Sequence, residues 1–158
     1  MNYPKPEIKT IEKKLLIGKH LEMSMADNKT RELWQSFGPE IKGILNRKDQ
    51  LRYSLQVYPS DYYQSFSPTK QFTKWAAVEV EKETSMEGLE TFNLEEGKYA
   101  VFYYQGMPGD PSIFQYIYGP WIQNCPFQLD ERPHFEILGE KYKPGSAESE
   151  EEIWIPIK

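Results

Sequence analysis

The feature that most constrains the fold is an internal repeat. Residues 17–25 and 96–104 both read as strands entered through Gly-Lys, with Gly18-Lys19 recurring as Gly97-Lys98, 79 positions on (18 to 97). A helix-period stripe follows each: Leu33, Phe37, Ile41 and Ile44 within residues 30–46, then Phe114, Ile117, Tyr118 and Trp121 within residues 112–124. Asn28 or Thr30 can cap the first segment and Ser112 the second, since each side chain can accept from an orphan backbone N–H. Both stripes are interrupted by an aromatic-Gly-Pro step, Phe37-Gly38-Pro39 and Tyr118-Gly119-Pro120, 81 positions apart (38 to 119). Proline lacks the amide N–H that a helix interior needs, so each step either kinks the helix or starts a new one. Two further strands close each half, at 51–58 and 72–80, then at 133–138 and 151–157. A three-stranded half with one helix is too small to bury its own sheet. The expectation is one α+β domain over residues 1–158, built from duplicated β-α-β-β modules (about 7–82 and 88–158) related by a pseudo-twofold axis. Its sheet is expected to be antiparallel, with the helices on one face and a ligand cleft on the other.

Side chains alternate between the two faces of a strand. Leu55, Val57, Ala76, Val78 and Val80 form an aliphatic set, with Phe135, Ile137, Ile153, Ile155 and Ile157 as repeat partners, and this set is expected beneath the helices. The opposite phase carries Ser54, Gln56, Tyr58, Trp75 and Glu79, then His134, Glu136, Glu152 and Trp154, with Tyr103 joining from a leading strand. The chain is 15% aromatic, with 11 Tyr, 8 Phe and 4 Trp, more rings than a core of this size needs. Rings beside isolated carboxylates suit a flat, amphipathic, partly cationic molecule: ring faces attract cations and a partly buried carboxylate supplies the countercharge. Each residue also has a plainer reading. Glu152 ends the acidic run 148–152, which a solvated loop would carry equally well. Glu136 fits a solvent-facing strand position, and Trp75 and Trp154 fit rings that cap an open sheet. His134, beside Pro133, fits a packed or exposed histidine better than a catalyst.

Composition removes several classes of function. The chain is 39% hydrophobic and 27% charged, the balance of a globular protein. No run approaches the roughly 20 apolar residues of a membrane span. The start, residues 1–9, is polar and proline-broken, unlike a secretory signal, so no membrane association and a cytoplasmic location are expected. A net charge of −5, from 19 basic and 24 acidic residues, argues against nucleic acid as a direct partner. One cysteine and two histidines provide neither a disulfide framework nor a Cys/His metal cage, and Cys125 reads as inert. Glycine-rich phosphate loops, nucleophile elbows, His-Glu-x-x-His helices and calcium loops are all missing from the sequence. No cofactor and no metal are expected.

The run Glu151-Glu152-Ile153-Trp154-Ile155-Pro156-Ile157 resembles the closing strand of the gyrase-inhibitory-protein-like (GyrI-like) small-molecule-binding domains, which also serve as effector-binding domains of AraC-type and MerR-type regulators. Tyr118-Gly119-Pro120-Trp121 and Leu129-Asp130-Glu131-Arg132-Pro133-His134-Phe135-Glu136 are similar to that family's second-half helix and following strand. The resemblance implies paired modules with a ligand cleft between them, in the stand-alone form without a DNA-binding part. It implies an acidic cleft residue on the last strand, matched here by Glu152, and aromatic walls matched by Trp75, Tyr103, Tyr118, Trp121 and Trp154. The expected function is the sensing or sequestration of amphipathic, cationic or aromatic compounds, with Glu136 as a second acidic contact. One alternative is a hydrolase of strained cyclopropane-bearing natural products, with Glu152 or Glu136 as base and Tyr103 positioning the electrophile. Another is a module that binds a protein partner, such as a topoisomerase.

Overall fold

In a computed structural model that describes residues 3–158, eight strands form one antiparallel sheet. In chain order they are β1 (Glu7–Ile11), β2 (Lys14–Ser24), β3 (Arg52–Val57), β4 (Gln71–Glu79), β5 (Glu90–Leu94), β6 (Gly97–Gln105), β7 (His134–Leu138) and β8 (Glu150–Pro156). Their order across the sheet is β1-β6-β8-β7-β3-β4-β2-β5. This order has a consequence for shape. β1 lies at one edge and β2 next to the other, yet only Glu12 and Lys13 join them. Glu95 and Glu96 join β5 to β6 in the same way. Two connecting residues span no more than about 11 Å between strand ends, so the sheet must curl until its two edges approach. Gly18 helps to make this possible: a Cβ there would collide with the backbone carbonyl of Ala76 on β4.

Two helical segments cover one face. Helix α1 (Thr30–Phe37) passes at Gly38 into a tighter 3-10 segment, Gly38–Gly43, with Pro39 in its first turn. Helix α2 (Ser112–Tyr116) runs into a π-helical turn, Ile117–Trp121, that contains Pro120, and then a last turn, Ile122–Asn124. The two Gly-Pro steps are thus resolved differently: one starts a new helical segment, and the other sits in a bulge whose widened hydrogen bonding tolerates the missing N–H. Both helices open on a short acceptor two residues upstream: Asn28 Oδ1 accepts from Thr30 N at 2.9 Å, and Asp110 Oδ1 from Ser112 N at 2.9 Å. Of the two residues expected to hold the first helix start, Asn28 does so and Thr30 does not; at the second, Asp110 takes the part expected of Ser112.

Beneath α1 lie Ile17, Ala76 and Val78, and beneath α2 lie Ala100, Phe102, Ile153 and Ile155. Of the expected aliphatic set, Ala76, Val78, Val80, Ile153, Ile155 and Ile157 lie there. Leu55, Val57, Phe135 and Ile137 do not: they occupy the opposite face, in one cluster with Trp75, Tyr99 and Trp154. Every one of the eight strands contributes to that cluster, which marks it as the closed inside of the curl. Both faces of the central strands are buried, so alternation alone cannot say which face bears the helices. The edge strands β1 and β5 were not legible in the sequence; each is five residues long and mixes polar with apolar positions.

Candidate functional site

The helices leave a gap. α1 sits over β2 and β4, and α2 over β6 and β8, so the central pair β7-β3 is uncovered. A cavity of about 910 Å³ fills this gap. The cleft therefore lies on the helix-bearing face, between the helices, and not on the opposite face as expected. The opposite face is filled by its own rings, apart from a smaller hollow at the open end of β7 and β8.

The floor of the cavity carries charge. Lys74 from β4, Glu136 from β7 and Glu151 from β8 all line it. Register explains why they meet: Gln56 pairs with Lys74 and with His134, and Ser54 pairs with Glu136, so these positions point to one side. Lys74 and Glu136 are nearly covered, with side chains 7% and 12% exposed, and Lys74 Nζ lies 3.8 Å from Glu136 Oε1. Gln56 Nε2 donates to the same oxygen at 3.2 Å. Burial pulls the Lys74 ammonium below its ordinary pKa and pushes the Glu136 carboxyl above its own, while each charge opposes the other's shift. Glu151 takes no hydrogen bond or ion pair among the described residues. Burial, reinforced by the charge of Glu136, pushes its carboxyl up to about 7.

The walls are apolar and aromatic. Trp34 comes from α1, Phe114 from α2, Leu138 from β7 and Tyr142 from the loop after it. Beyond Glu136, outside the cavity lining, Tyr58, Tyr63, Tyr118 and His134 pack into an aromatic cluster. Tyr63 stacks on Tyr118 at 5.3 Å, and the Tyr118 hydroxyl shares a 2.7 Å hydrogen bond with His134 Nδ1. Burial holds His134 down to about 3, so its ring is neutral at ordinary pH. Burial likewise raises the Tyr58 and Tyr118 phenols, with further upward pressure from Glu136, so these hydroxyls stay protonated beside the carboxylate.

The seven binding residues singled out in the sequence do not share this cavity. Glu136 is on its floor, while Tyr118 is buried outside the lining, hydrogen-bonded to His134. Glu152 and Tyr103 are on the other side of the sheet, beside a smaller hollow of about 500 Å³ at the open end of β7 and β8 that Glu151 also reaches. There Trp154 Nε1 donates to Glu152 Oε1 at 3.0 Å. Trp154 stacks on Phe135 at 5.3 Å inside the closed core, and Trp75 packs there against His20 and Phe92. Trp121 packs edge-on to Phe102 beneath α2. Sequence reasoning missed Lys74, Glu151 and Tyr63. Glu151 adjoins the expected Glu152, and a one-residue slip in a strand moves a side chain to the other face. Lys74 carried a signal: it is a lysine between Phe72 and the apolar run 75–78 of a central strand. Among the described residues, no group of His, Cys, Asp and Glu side chains is arranged to hold a metal ion.

A curled, eight-stranded antiparallel sheet with two helices matches the fold of the GyrI-like effector-binding domains. The chain belongs to the Cass2 family, the integron-associated effector binding proteins, whose model matches residues 7–157. No curated protein sequence matches it. Among solved structures it is similar to SAV2435 bound to tetraphenylphosphonium, with 16% identity, a TM-score of 0.71, and coverage of 98% of this chain and 94% of that one. It is similar to the integron cassette protein VCH_CASS2 of Vibrio cholerae, with 18% identity, a TM-score of 0.70, and coverage of 99% and 97%. It is also similar to the EcmrR C-terminal domain, with 16% identity, a TM-score of 0.72, and coverage of 100% and 99%. At these identities the likeness is one of fold.

Proposed function

We propose that this protein binds an amphipathic small molecule in the interhelical cavity, as a sensing or sequestering module. The observation that carries this reading is the pair of carboxylates, Glu136 and Glu151, held out of solvent at the floor of a roomy cavity with Trp34, Phe114, Leu138 and Tyr142 on its walls. A cavity of about 910 Å³ accommodates a drug-sized molecule, and the mixture of apolar walls with a few polar groups is the usual form of a ligand site. A cationic group on the ligand would stabilise Glu151 in its charged form, and a flat ring system would lie against the aromatic side chains. That SAV2435, similar in fold, is bound to tetraphenylphosphonium supports a small-molecule ligand of aromatic, cationic character. None of the helices among the described residues is long and apolar enough to cross a membrane. The unpaired Cys125 fits a reducing, cytoplasmic setting.

The test is a thermal-shift screen of amphipathic aromatic amines, followed by calorimetric titration of the hits. Hits bind saturably, and Glu151→Gln weakens them about tenfold, the loss expected for one charge-assisted contact. Hits that bind Glu151→Gln as tightly as wild type, or a screen without any saturable ligand, would defeat the reading.

A further inference from the structure

The cavity is not simply a trap for cations. Its charged lining residues are balanced: Arg31, Arg52 and Lys74 against Glu136, Glu140 and Glu151. The most deeply placed cation, Lys74, is built into the floor beside Glu136, one of the two carboxylates that a cationic ligand would approach. A buried pair with a purely structural purpose closes to contact and saturates its donors and acceptors, because the desolvation of both ions has to be offset. This pair is open. Lys74 Nζ stands 3.8 Å from Glu136 Oε1, beyond hydrogen-bonding reach, and its N–H groups take no hydrogen bond among the described residues. Both contacts made to Glu136 fall on Oε1, which leaves Oε2 without a partner among the described residues. The floor thus offers unspent donors at Lys74 and unspent acceptors at Glu136 and Glu151 side by side.

We propose that Lys74 is the specificity-determining residue of this cavity: its ammonium takes an acceptor from the ligand, so the site selects amphiphiles with a carboxylate or similar acceptor beside their cationic group, over plain lipophilic cations. The inference rests on the cavity being the ligand site. A lipophilic cation without an acceptor must share the floor with a buried ammonium, and like-charge repulsion there cancels much of the pull of the carboxylates. A zwitterion satisfies both signs. An acceptor on the ligand also gives Lys74 the hydrogen bond it lacks, and a charge-assisted one at that.

Rhodamine B and its ethyl ester test this directly. Rhodamine B carries a carboxylate beside a cationic xanthene; the ester keeps the ring and the charge and loses the acid. Fluorescence-polarisation titrations at neutral pH should show wild type favouring rhodamine B over the ester by about tenfold. In Lys74→Met the preference should vanish or reverse, with the ester binding more tightly than it does to wild type. Where Lys74→Met does not fold by circular dichroism, the double variant Lys74→Met with Glu136→Gln removes both buried charges and should lose the preference equally. A wild type that binds the ester as well as the acid, or a variant that keeps the preference for the acid, overturns the role of Lys74 while leaving the cavity as a ligand site. Failure of both dyes to bind wild type overturns the site and the inference together.

Discussion

The two faces of the sheet carry similar residue types and put them to different use. On the inner face Trp75, Tyr99, Phe135 and Trp154 meet ring against ring, because the curl brings every strand toward a common centre. The polar atoms there are spent locally: the Tyr99 hydroxyl donates to the Pro133 carbonyl at 2.9 Å, and Trp154 Nε1 donates to Glu152. On the helix-bearing face the cavity's own rings, Trp34, Phe114 and Tyr142, do not stack on one another, and the charges Lys74, Glu136 and Glu151 line the same cavity with hydrogen-bonding capacity left over. Clustered aromatics are therefore a poor guide to a site in this fold. Buried charge that its neighbours leave unsatisfied is the better one.

The largest expected effect tests the inner face. Trp154 is 7% exposed and sandwiched by Phe135 and Tyr99, so Trp154→Ala should cost about 3–5 kcal/mol of stability in urea unfolding. A cost below about 1 kcal/mol would mean that the inner face is not a packed core. Next comes the charged floor. Glu136→Gln leaves Lys74 buried without its counter-ion and should cost about 3 kcal/mol, while adding Lys74→Met should recover most of that loss. A double variant as unstable as the single one would show that the two charges are not coupled.

A smaller effect appears in the pH dependence. Glu151 titrates at about 7 in the folded protein against 4.5 for the free side chain. Between those values the folded state holds a proton that the unfolded chain has released, so stability falls as pH rises, by about 1–2 kcal/mol after allowance for partial exposure. His134 acts with the opposite sign. It titrates at about 3 when folded against 6.5 when free, so the unfolded chain takes up a proton that the folded state refuses, and stability falls as pH drops below 6.5. In wild type the two slopes oppose each other. Glu151→Gln removes one of them, and its stability should climb, relative to wild type, from about pH 5 to pH 7. Parallel profiles for the two proteins, by denaturation across that range, would place the Glu151 carboxyl in ordinary solvent.

The expected repeat rests on markers that are local. Gly-Lys at 18 and 97 and aromatic-Gly-Pro at 38 and 119 depend on backbone requirements that a few adjacent residues express. Antiparallel strands, the two helices and the α+β class followed from them. The site was harder, because it depends on which face of a doubly buried strand carries the helices. Leu55 and Phe135 are as apolar as Val78 and Ile155, and nothing local distinguishes the inside of a curl from the underside of a helix. Glu136 was legible as a carboxylate among apolar neighbours, but its partner Lys74 comes from a strand two places away in the sheet. Such a pairing is fixed by sheet order, which the sequence states only indirectly.

The smallest effect is the sharpest discriminator between the faces. Glu151 and Glu152 are adjacent, identical in type and opposite in direction: Glu151 lines the central cavity, while Glu152 pairs across the strands with Tyr103 and Ile137 and accepts from Trp154 Nε1. Glu152→Gln keeps an acceptor for Trp154 but gives up the charge, which should cost about 0.5–1 kcal/mol of stability. It should leave the affinity of a cavity ligand within about twofold of wild type, against the roughly tenfold loss in Glu151→Gln. Titration of both variants with one ligand decides the matter. A larger affinity loss in Glu152→Gln than in Glu151→Gln would move the binding site to the Tyr103 side of the sheet, where the hollow of about 500 Å³ would have to hold the ligand.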